Sequence, residues 1–331
     1  MSISQEILVS SSAGSVETER SIRAIKLGVD PRGWVDVKTA ANRLRHFASL
    51  AKPEITFMVM ISAGLAFVVA SSSLQLIGLL NTIVGTGLVA AGAGALNQYL
   101  ERTLDAQMRR TSRRPLPSGH VSGRAALFFG ATLSVFGTIY LILCLNGLTA
   151  LLGILTSATY LFVYTPLKTR TSLCTLVGAI PGAAPMLMGW AAAQNNLTGE
   201  AWALYLILFL WQFPHFYAIG WLYREDYARA WMKMLPAVDE DDGKTTFRRI
   251  LISTRLLIFA SVLFTFVASA SLFYSVLAVS LGLSFYYVAY RAAVSRSKLA
   301  AKTLLHASVI YLPLLYLVLL LDKFYLSASI H

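Results

Sequence analysis

Long apolar segments alternate with short polar ones along most of this chain. Windows of about 19 residues predict membrane spans at 55–73, 76–97, 125–145, 148–165, 173–193, 202–222, 250–271, 273–290 and 303–321. The apolar runs are continuous and lack the polar/apolar alternation of barrel strands. Composition agrees, because 56% of the residues are hydrophobic and only 13% are charged. The pattern predicts an all-α, polytopic membrane protein with about nine transmembrane helices.

The polar ends of the chain predict a simple domain organisation. Residues 1–45 are polar, mixed in charge and without the apolar core of a signal peptide, which predicts a flexible cytoplasmic tail. Residues 46–325 form the predicted membrane domain, and 326–331 a C-terminal tail.

The distribution of basic residues predicts the orientation in the bilayer. Of the 28 lysines and arginines, all but Lys323 fall on one side of a nine-helix topology. The connections on the other side are short and carry a single charge, Glu200. The positive-inside rule then places the N-terminus in the cytoplasm and the C-terminus outside. Topology accounts for most of the net charge of +12, so a lipid bilayer and not nucleic acid is the expected partner.

The end of the second predicted helix carries the first candidate site, "NQYLERTLDAQMRRTSRRPLPSG". If this helix continues beyond the membrane, four side chains recur one turn apart on one face: Asn97, Glu101, Asp105 and Arg109. Such oxygen ligands suit Mg²⁺ bound together with a substrate phosphate, and the arginines that follow match phosphate oxygens: Arg109, Arg110, Arg113 and Arg114. The combination fits a diphosphate. The alternative is a solvated helix end with internal Glu–Arg pairs.

A second charged segment, "PHFYAIGWLYREDYARAWMKMLP", ends the sixth predicted helix on the same side. Its polar cap includes Tyr223, Arg224 and Asp226, so the two loops can meet around one anion. His215 lies inside the apolar span, where an ionisable residue favours a functional role over a structural one. The aromatic residues near it either line a cavity or only pack: Phe216, Tyr217 and Trp221.

The fourth predicted helix ends with Tyr164 and Lys168, which are four residues apart. Lysine can contact phosphate as a point charge and tyrosine can pack on an apolar chain, although both are also common at membrane interfaces. The fifth helix contains Gly178, Pro181, Gly182 and Pro185. These residues allow close helix contacts or kinks that open a cavity.

The first motif resembles that of the UbiA-type intramembrane prenyltransferase superfamily. Four further stretches, "LAKPEIT", "YTPLKTRT", "GAAPMLMGWAA" and "WQFPHFYAIGWLYREDYARAWMKMLP", are similar to its haem-modifying branch over about residues 45–320. The resemblance implies nine transmembrane helices around a central cavity, with two metal-diphosphate motifs in cytoplasmic caps. By motif match, the metal and catalytic residues are Asn97, Glu101, Asp105 and Asp226. The substrate-binding residues are Lys52, Arg109, Arg113, Arg114, Tyr164, Lys168, His215, Tyr223 and Arg224.

The activity implied by the resemblance is farnesyl transfer from farnesyl diphosphate to a vinyl group of haem B, with Mg²⁺ as cofactor. His215 would contact the haem iron or a propionate. The implied setting is a bacterial inner membrane, with a downstream haem A synthase as a further partner. Two alternatives stay open: a different aromatic acceptor such as a quinone precursor, and a transporter that uses intramembrane charges.

Overall fold

The computed structural model describes residues 37–73 and 75–329, and side chains within 41–324. The described residues form helices and turns, without strands. They fall into two compact units, divided between Ser49 and Leu50. Residues 1–36, most of the predicted N-terminal tail, lie outside the described residues. Helix α1 (Val37–Leu50) begins within the segment that the sequence predicts as a tail.

Within the described residues, nine helices are long and apolar enough to cross a membrane, which confirms the predicted fold class. The first five are α2 (Pro53–Ala70), α3 (Leu76–Asp105), α4 (Gly123–Cys144), α5 (Gly147–Ala158, extended by turns to Leu167) and α6 (Cys174–Gln194). The others are α7 (Gly199–Leu222), α10 (Lys244–Val267), α11 (Leu272–Ser295) and α12 (Lys298–Ser329). Two short helices, α8 (Arg224–Arg229) and α9 (Leu235–Val238), follow α7.

The main difference from the predicted spans lies at the ends of the helices. Helix α3 continues eight residues beyond the predicted end at residue 97 and stops at Asp105. Hydropathy windows lose the helix where polar residues begin, although the backbone hydrogen bonds continue. Helix α12 likewise reaches Ser329, beyond the predicted end of the membrane domain at 325.

Small residues let the helices approach closely, as is common in membrane bundles. Helices α3 and α4 meet at Gly92, Gly130 and Gly137. A Cβ atom at Gly137 would lie 2.9 Å from the backbone nitrogen of Val89. In water-free surroundings this close packing supplies the van der Waals contacts that hold helices together.

The fourth membrane helix contains a π-helical turn, Thr159–Tyr164, just before Pro166. The hydroxyl of Thr165 donates to the carbonyl oxygen of Tyr160 at 2.9 Å. The rings of Tyr160 and Tyr164 stack with their centroids 5.6 Å apart. Such π-turns are frequent at functional sites, and this one presents both rings to the cavity described below.

Candidate active site

A cavity of about 310 Å³ lies between the membrane helices of the second unit. Its deeper wall is mainly apolar and includes Val89, Ala93, Pro185, Met188 and Phe216. Its mouth is charged and is lined by Lys52, Glu101, Asp105, Arg110, Arg114 and Lys168. Four cations thus face two carboxylates, which leaves an excess of two positive charges for an anion.

The carboxylates come from one face of α3, as the four-residue spacing predicts. Asn97, Glu101 and Asp105 are 0%, 4% and 1% exposed. The Lys168 ammonium donates to Glu101 Oε1 at 2.6 Å, and Arg114 Nη1 donates to Asp105 Oδ2 at 2.7 Å. Burying such charges is costly unless they are paired, so each carboxylate is balanced by a cation from another part of the chain.

Lys168 follows the last turn of the fourth membrane helix. Burial alone would lower the pKa of its ammonium group, but the Glu101 carboxylate outweighs burial and holds that pKa well above the ordinary lysine value. The ammonium also lies 4.6 Å from the centroid of the Tyr164 ring. Lys168 is therefore a permanent cation at the mouth of the cavity.

Lys52 is the residue before Pro53 and has a left-handed backbone conformation with φ of 49°. Its ammonium donates to Asn97 Oδ1 at 2.6 Å and to the Tyr160 hydroxyl at 3.3 Å. The Asn97 amide in turn donates to the Thr165 hydroxyl at 2.8 Å. In this structure the Asn97 oxygen positions Lys52, and the predicted role of Asn97 as a metal ligand stays a prediction.

The arginines do not continue the helix, which was the condition for stacking Arg109 on the acidic face. Helix α3 ends at Asp105, and the hydroxyl of Thr111 donates to the Asp105 carbonyl oxygen at 2.9 Å as the chain turns back. The turn brings Arg114 back to Asp105, whereas Arg109 and Arg113 are exposed and lie outside the cavity lining. The expected stacking of Arg109 on the acidic face is thus wrong.

The two polar loops meet, as predicted. Arg110 donates its backbone N–H to Asp226 Oδ2 at 3.2 Å, and its guanidinium donates to the Tyr227 hydroxyl at 3.3 Å. The same guanidinium lies 5.1 Å from the centroid of the Tyr223 ring. Asp226 also accepts from Arg229 at 2.5 Å. Asp226 is therefore a buried link between the loops, outside the cavity lining.

His215 and the aromatic residues near it on α7 lie outside the cavity lining, except Phe216. His215 Nδ1 lies 2.8 Å from the Ser308 hydroxyl of α12, and its ring stacks on Trp211. Trp221 donates to the carbonyl oxygen of Arg296 at 3.0 Å and packs under Arg224. Tyr217 is buried but does not line the cavity, whereas Phe216 does.

Sequence reasoning missed several residues of the site. Tyr160 stands four residues before Tyr164, so the spacing that selected Tyr164 and Lys168 extends back by one turn. Arg110 was recognised as one of the arginines that match phosphate oxygens but was not included among the predicted substrate-binding residues. No sequence signal marked Gln212, Met232 or Met234, which also line the cavity.

Fold and site together define an intramembrane enzyme for an amphiphilic anion, with an apolar cavity below a cationic mouth. The chain belongs to the UbiA prenyltransferase family, whose model matches residues 57–320. The protein is therefore a prenyltransferase, as the sequence motifs predict.

Individual comparisons agree with this assignment. A protoheme IX farnesyltransferase of Solibacter usitatus (strain Ellin6076) is 46% identical over 290 residues, covering 85% of this chain and 99% of the relative. A structure of digeranylgeranylglyceryl phosphate synthase has a TM-score of 0.71 at 16% identity, covering 85% of this chain and 99% of its own. A UbiA homologue from Archaeoglobus fulgidus, bound to GPP and Mg²⁺, has a TM-score of 0.62 at 11% identity, covering 83% and 99%. Both solved structures share the fold.

Proposed function

We propose that the protein transfers the farnesyl group of farnesyl diphosphate to a vinyl group of haem B. Water completes the product, a hydroxyethylfarnesyl haem, and diphosphate is released. The observation that carries the proposal is the cationic mouth above an apolar intramembrane cavity. The relatives that the chain matches over most of its length are named protoheme IX farnesyltransferases, and these names support haem B as the acceptor and farnesyl as the transferred group.

The diphosphate binds at the mouth of the cavity. Lys168 and Arg114 each contact a carboxylate in the described structure, and Lys52 and Arg110 lie in the same lining. Lysine and arginine side chains both bind phosphate oxygens, the arginines through two parallel hydrogen bonds. These cations stabilise the negative charge that grows on the diphosphate as the allylic C–O bond breaks.

The residues of the mouth also fit Mg²⁺. Glu101 and Asp105 are one helical turn apart and both line the cavity. Mg²⁺ is commonly held by one or two carboxylates together with substrate phosphates. No group of three or more histidine, cysteine or acidic side chains is close enough to hold a metal within residues 41–324, so the remaining ligands would be phosphate oxygens and water. When bound there, the ion would act as a Lewis acid on the diphosphate.

The apolar cavity protects the cation that ionisation produces. Val89, Ala93, Met188 and the Phe216 ring surround the space below the mouth and exclude bulk water. Bulk water would otherwise capture the allyl cation before the vinyl group reacts. The π electrons of the vinyl group then form the new C–C bond with the farnesyl carbon that carried the diphosphate.

The membrane location follows the charge distribution. We propose a bacterial inner membrane with the mouth, the N-terminus and the basic loops on the cytoplasmic side. The predicted downstream haem A synthase would use the product, and this partner stays a prediction.

The decisive experiment incubates membranes that contain the protein with haem B, farnesyl diphosphate and Mg²⁺, and identifies the pigment by mass. We expect the mass of haem B plus one farnesyl group and one hydroxyl group. A parallel incubation replaces haem B with 4-hydroxybenzoate. Prenylation of the benzoate but not of haem B would contradict the proposed acceptor, and release of unreacted farnesyl diphosphate across the membrane would favour a transporter.

A further inference from the structure

Gln212 is a polar side chain in the apolar part of the cavity. It belongs to α7, is 3% exposed and contributes to the cavity lining. An amide within a membrane bundle is costly unless its polar atoms have partners. Gln212 therefore either stabilises the helix packing or binds a ligand in the cavity. Its hydrogen bonds distinguish these two roles.

The nitrogen of the amide is used by the protein. Gln212 Nε2 donates to the carbonyl oxygen of Ala179 at 3.0 Å and to that of Leu208 at 3.3 Å. An amide nitrogen carries two hydrogens, so both are engaged with backbone and the orientation of the side chain is set. The oxygen is consequently held in one direction.

The oxygen faces Gly182 of α6. A Cβ atom at Gly182 would overlap Gln212 Oε1, so the oxygen lies against the backbone of Gly182 and only glycine leaves room for it there. Among the described residues, none donates a hydrogen bond to this oxygen. The amide is an acceptor with a fixed direction and an available lone pair, and its natural ligand is a hydrogen-bond donor within the cavity.

Gln212 lies near the place where the proposed bond forms. Gly182 is one turn from Gly178, and Gly178 lies against the Tyr164 ring, which contacts Lys168 at the mouth. Phe216 stands one turn above Gln212 on α7 and also lines the cavity. The acceptor thus lies below the charged mouth, where the diphosphate is proposed to bind.

We infer that Gln212 Oε1 binds and orients the water molecule that supplies the hydroxyl group of the product. This inference rests on the proposed function. The farnesyl C–O bond breaks and its electron pair leaves with diphosphate. The vinyl π electrons then form the C–C bond, which leaves a cation on the inner vinyl carbon. The oriented water donates an oxygen electron pair to that carbon, and its surplus proton goes to the released diphosphate, because an amide oxygen is a very weak base.

The test measures the products of a Gln212→Met variant in membranes with haem B and farnesyl diphosphate. Without an oriented water, the cation loses a proton from the neighbouring methylene and gives an alkene, which is lighter than the normal product by one water. We expect the ratio of hydroxylated to dehydrated haem to fall about tenfold, the size typical of losing one buried hydrogen bond. Isotopically labelled water identifies the source of the hydroxyl oxygen.

Two further variants make the outcome decisive. Gln212→Glu keeps an acceptor oxygen when protonated and should restore the parent ratio. Gln194→Met removes an amide that donates to the Ala70 carbonyl oxygen at 2.8 Å, far along α6 and outside the cavity lining, and should leave the ratio unchanged. An unchanged ratio in Gln212→Met overturns the inference. So does loss of all farnesylated haem in both Gln212 variants, since orienting water is not needed for forming the C–C bond. If the parent protein makes no farnesylated haem, the proposed function itself has failed.

Discussion

Burial of Asp105 changes the effect expected from replacing this charged residue at the end of α3. From the sequence it looks like an exposed acid, but it is 1% exposed and paired with Arg114 at 2.7 Å. Replacing it therefore affects more than a surface charge. The Arg114 side chain, 26% exposed, would lose the partner of its guanidinium while still lining the cavity.

We expect Asp105→Asn to lower turnover by about two orders of magnitude or more, since catalytic electrostatic contacts are commonly worth that much. The variant should still fold, with a loss of about 1–3 kcal/mol in the free energy of unfolding from the unpaired guanidinium. Turnover of haem B and thermal unfolding in detergent measure the two effects.

Glu225→Gln is the matched control for Asp105. Glu225 is an exposed acid of α8 that pairs with Lys298 at 2.7 Å, and hydrogen bonding to Lys298 lowers its carboxyl pKa. Exposed pairs contribute little to stability, so this variant should keep the activity of the parent. Equal activities in the Asp105 and Glu225 variants would remove Asp105 from the mechanism.

The ion pair of Lys168 with Glu101 should make the stability of the protein depend on pH. Its raised pKa means that the folded protein holds the ammonium proton more tightly than the unfolded chain does. The resulting stabilisation is fully present below the ordinary lysine pKa of about 10.4 and is lost as the pH rises through the higher folded-state value.

The measurement compares thermal unfolding of the parent protein and Lys168→Met from neutral pH upward. The difference between them should stay constant up to about pH 10 and shrink above it. Lys298→Met, which removes the exposed pair with Glu225, should differ little from the parent at neutral pH. A parent-to-variant difference that shrinks below pH 9 would contradict this account.

Individual site residues could be predicted where regular helix geometry decides their position. Glu101 and Asp105 share a face because α3 is continuous through both. Arg110 and Arg114 could not be selected over Arg109 and Arg113, because their positions depend on turns after the helix. The orientation of Gln212 depends on carbonyl oxygens of two helices, which no local pattern contains.

At the scale of elements, the fit of α6 against the fourth membrane helix determines the shape of the cavity. A Cβ atom at Gly178 would lie within 3.0 Å of the Tyr164 ring. That ring is stacked on Tyr160 and contacts Lys168. Any side chain at this position must therefore displace the ring from the mouth of the cavity.

We expect Gly178→Ala to reduce turnover about tenfold with little loss of stability. Alanine favours a helix over glycine by about 1 kcal/mol, which offsets the cost of moving a ring that can turn into the cavity. Gly147→Ala is the control, because a Cβ atom there meets nothing within 4 Å. Steady-state kinetics with varied farnesyl diphosphate would detect the effect, and equal rates in both variants would contradict it.

The nine membrane helices could be predicted because each supplies an apolar run of sufficient length. Their ends could not, since polar residues of α3 remain helical where they are buried by other elements. The π-helical turn at Thr159–Tyr164 could not be predicted from the sequence either. Pro166 indicates an irregular helix, because proline lacks a backbone N–H. It does not indicate which carbonyl oxygen accepts a hydrogen bond from the Thr165 hydroxyl instead.

At the scale of the whole molecule, the orientation predicts which sites a reagent can reach. Ser118, Ser297, Ser72 and Asn195 are all exposed. In a background without Cys144, which is exposed, single cysteines at Ser118 and Ser297 should react only from the cytoplasmic side. Cysteines at Ser72 and Asn195 should react only from the other side. The reverse pattern, measured with a membrane-impermeant maleimide, would place the mouth of the cavity outside the cell.

The two ion pairs at the mouth have a consequence for the order of binding. A diphosphate that takes Lys168 and Arg114 leaves Glu101 and Asp105 buried without counter-charge, and a divalent cation that takes the carboxylates strands the ammonium and the guanidinium. When the diphosphate and the divalent cation bind together, the two carboxylates pair with the cation, and Lys168 and Arg114 pair with the diphosphate. No buried charge is then left without a counter-charge. The two ligands should therefore bind synergistically, each raising the affinity for the other by the same factor. Calorimetric titration of a non-hydrolysable farnesyl diphosphate analogue, with and without Mg²⁺, should show an affinity change of about tenfold or more, a coupling of ~1.4 kcal/mol.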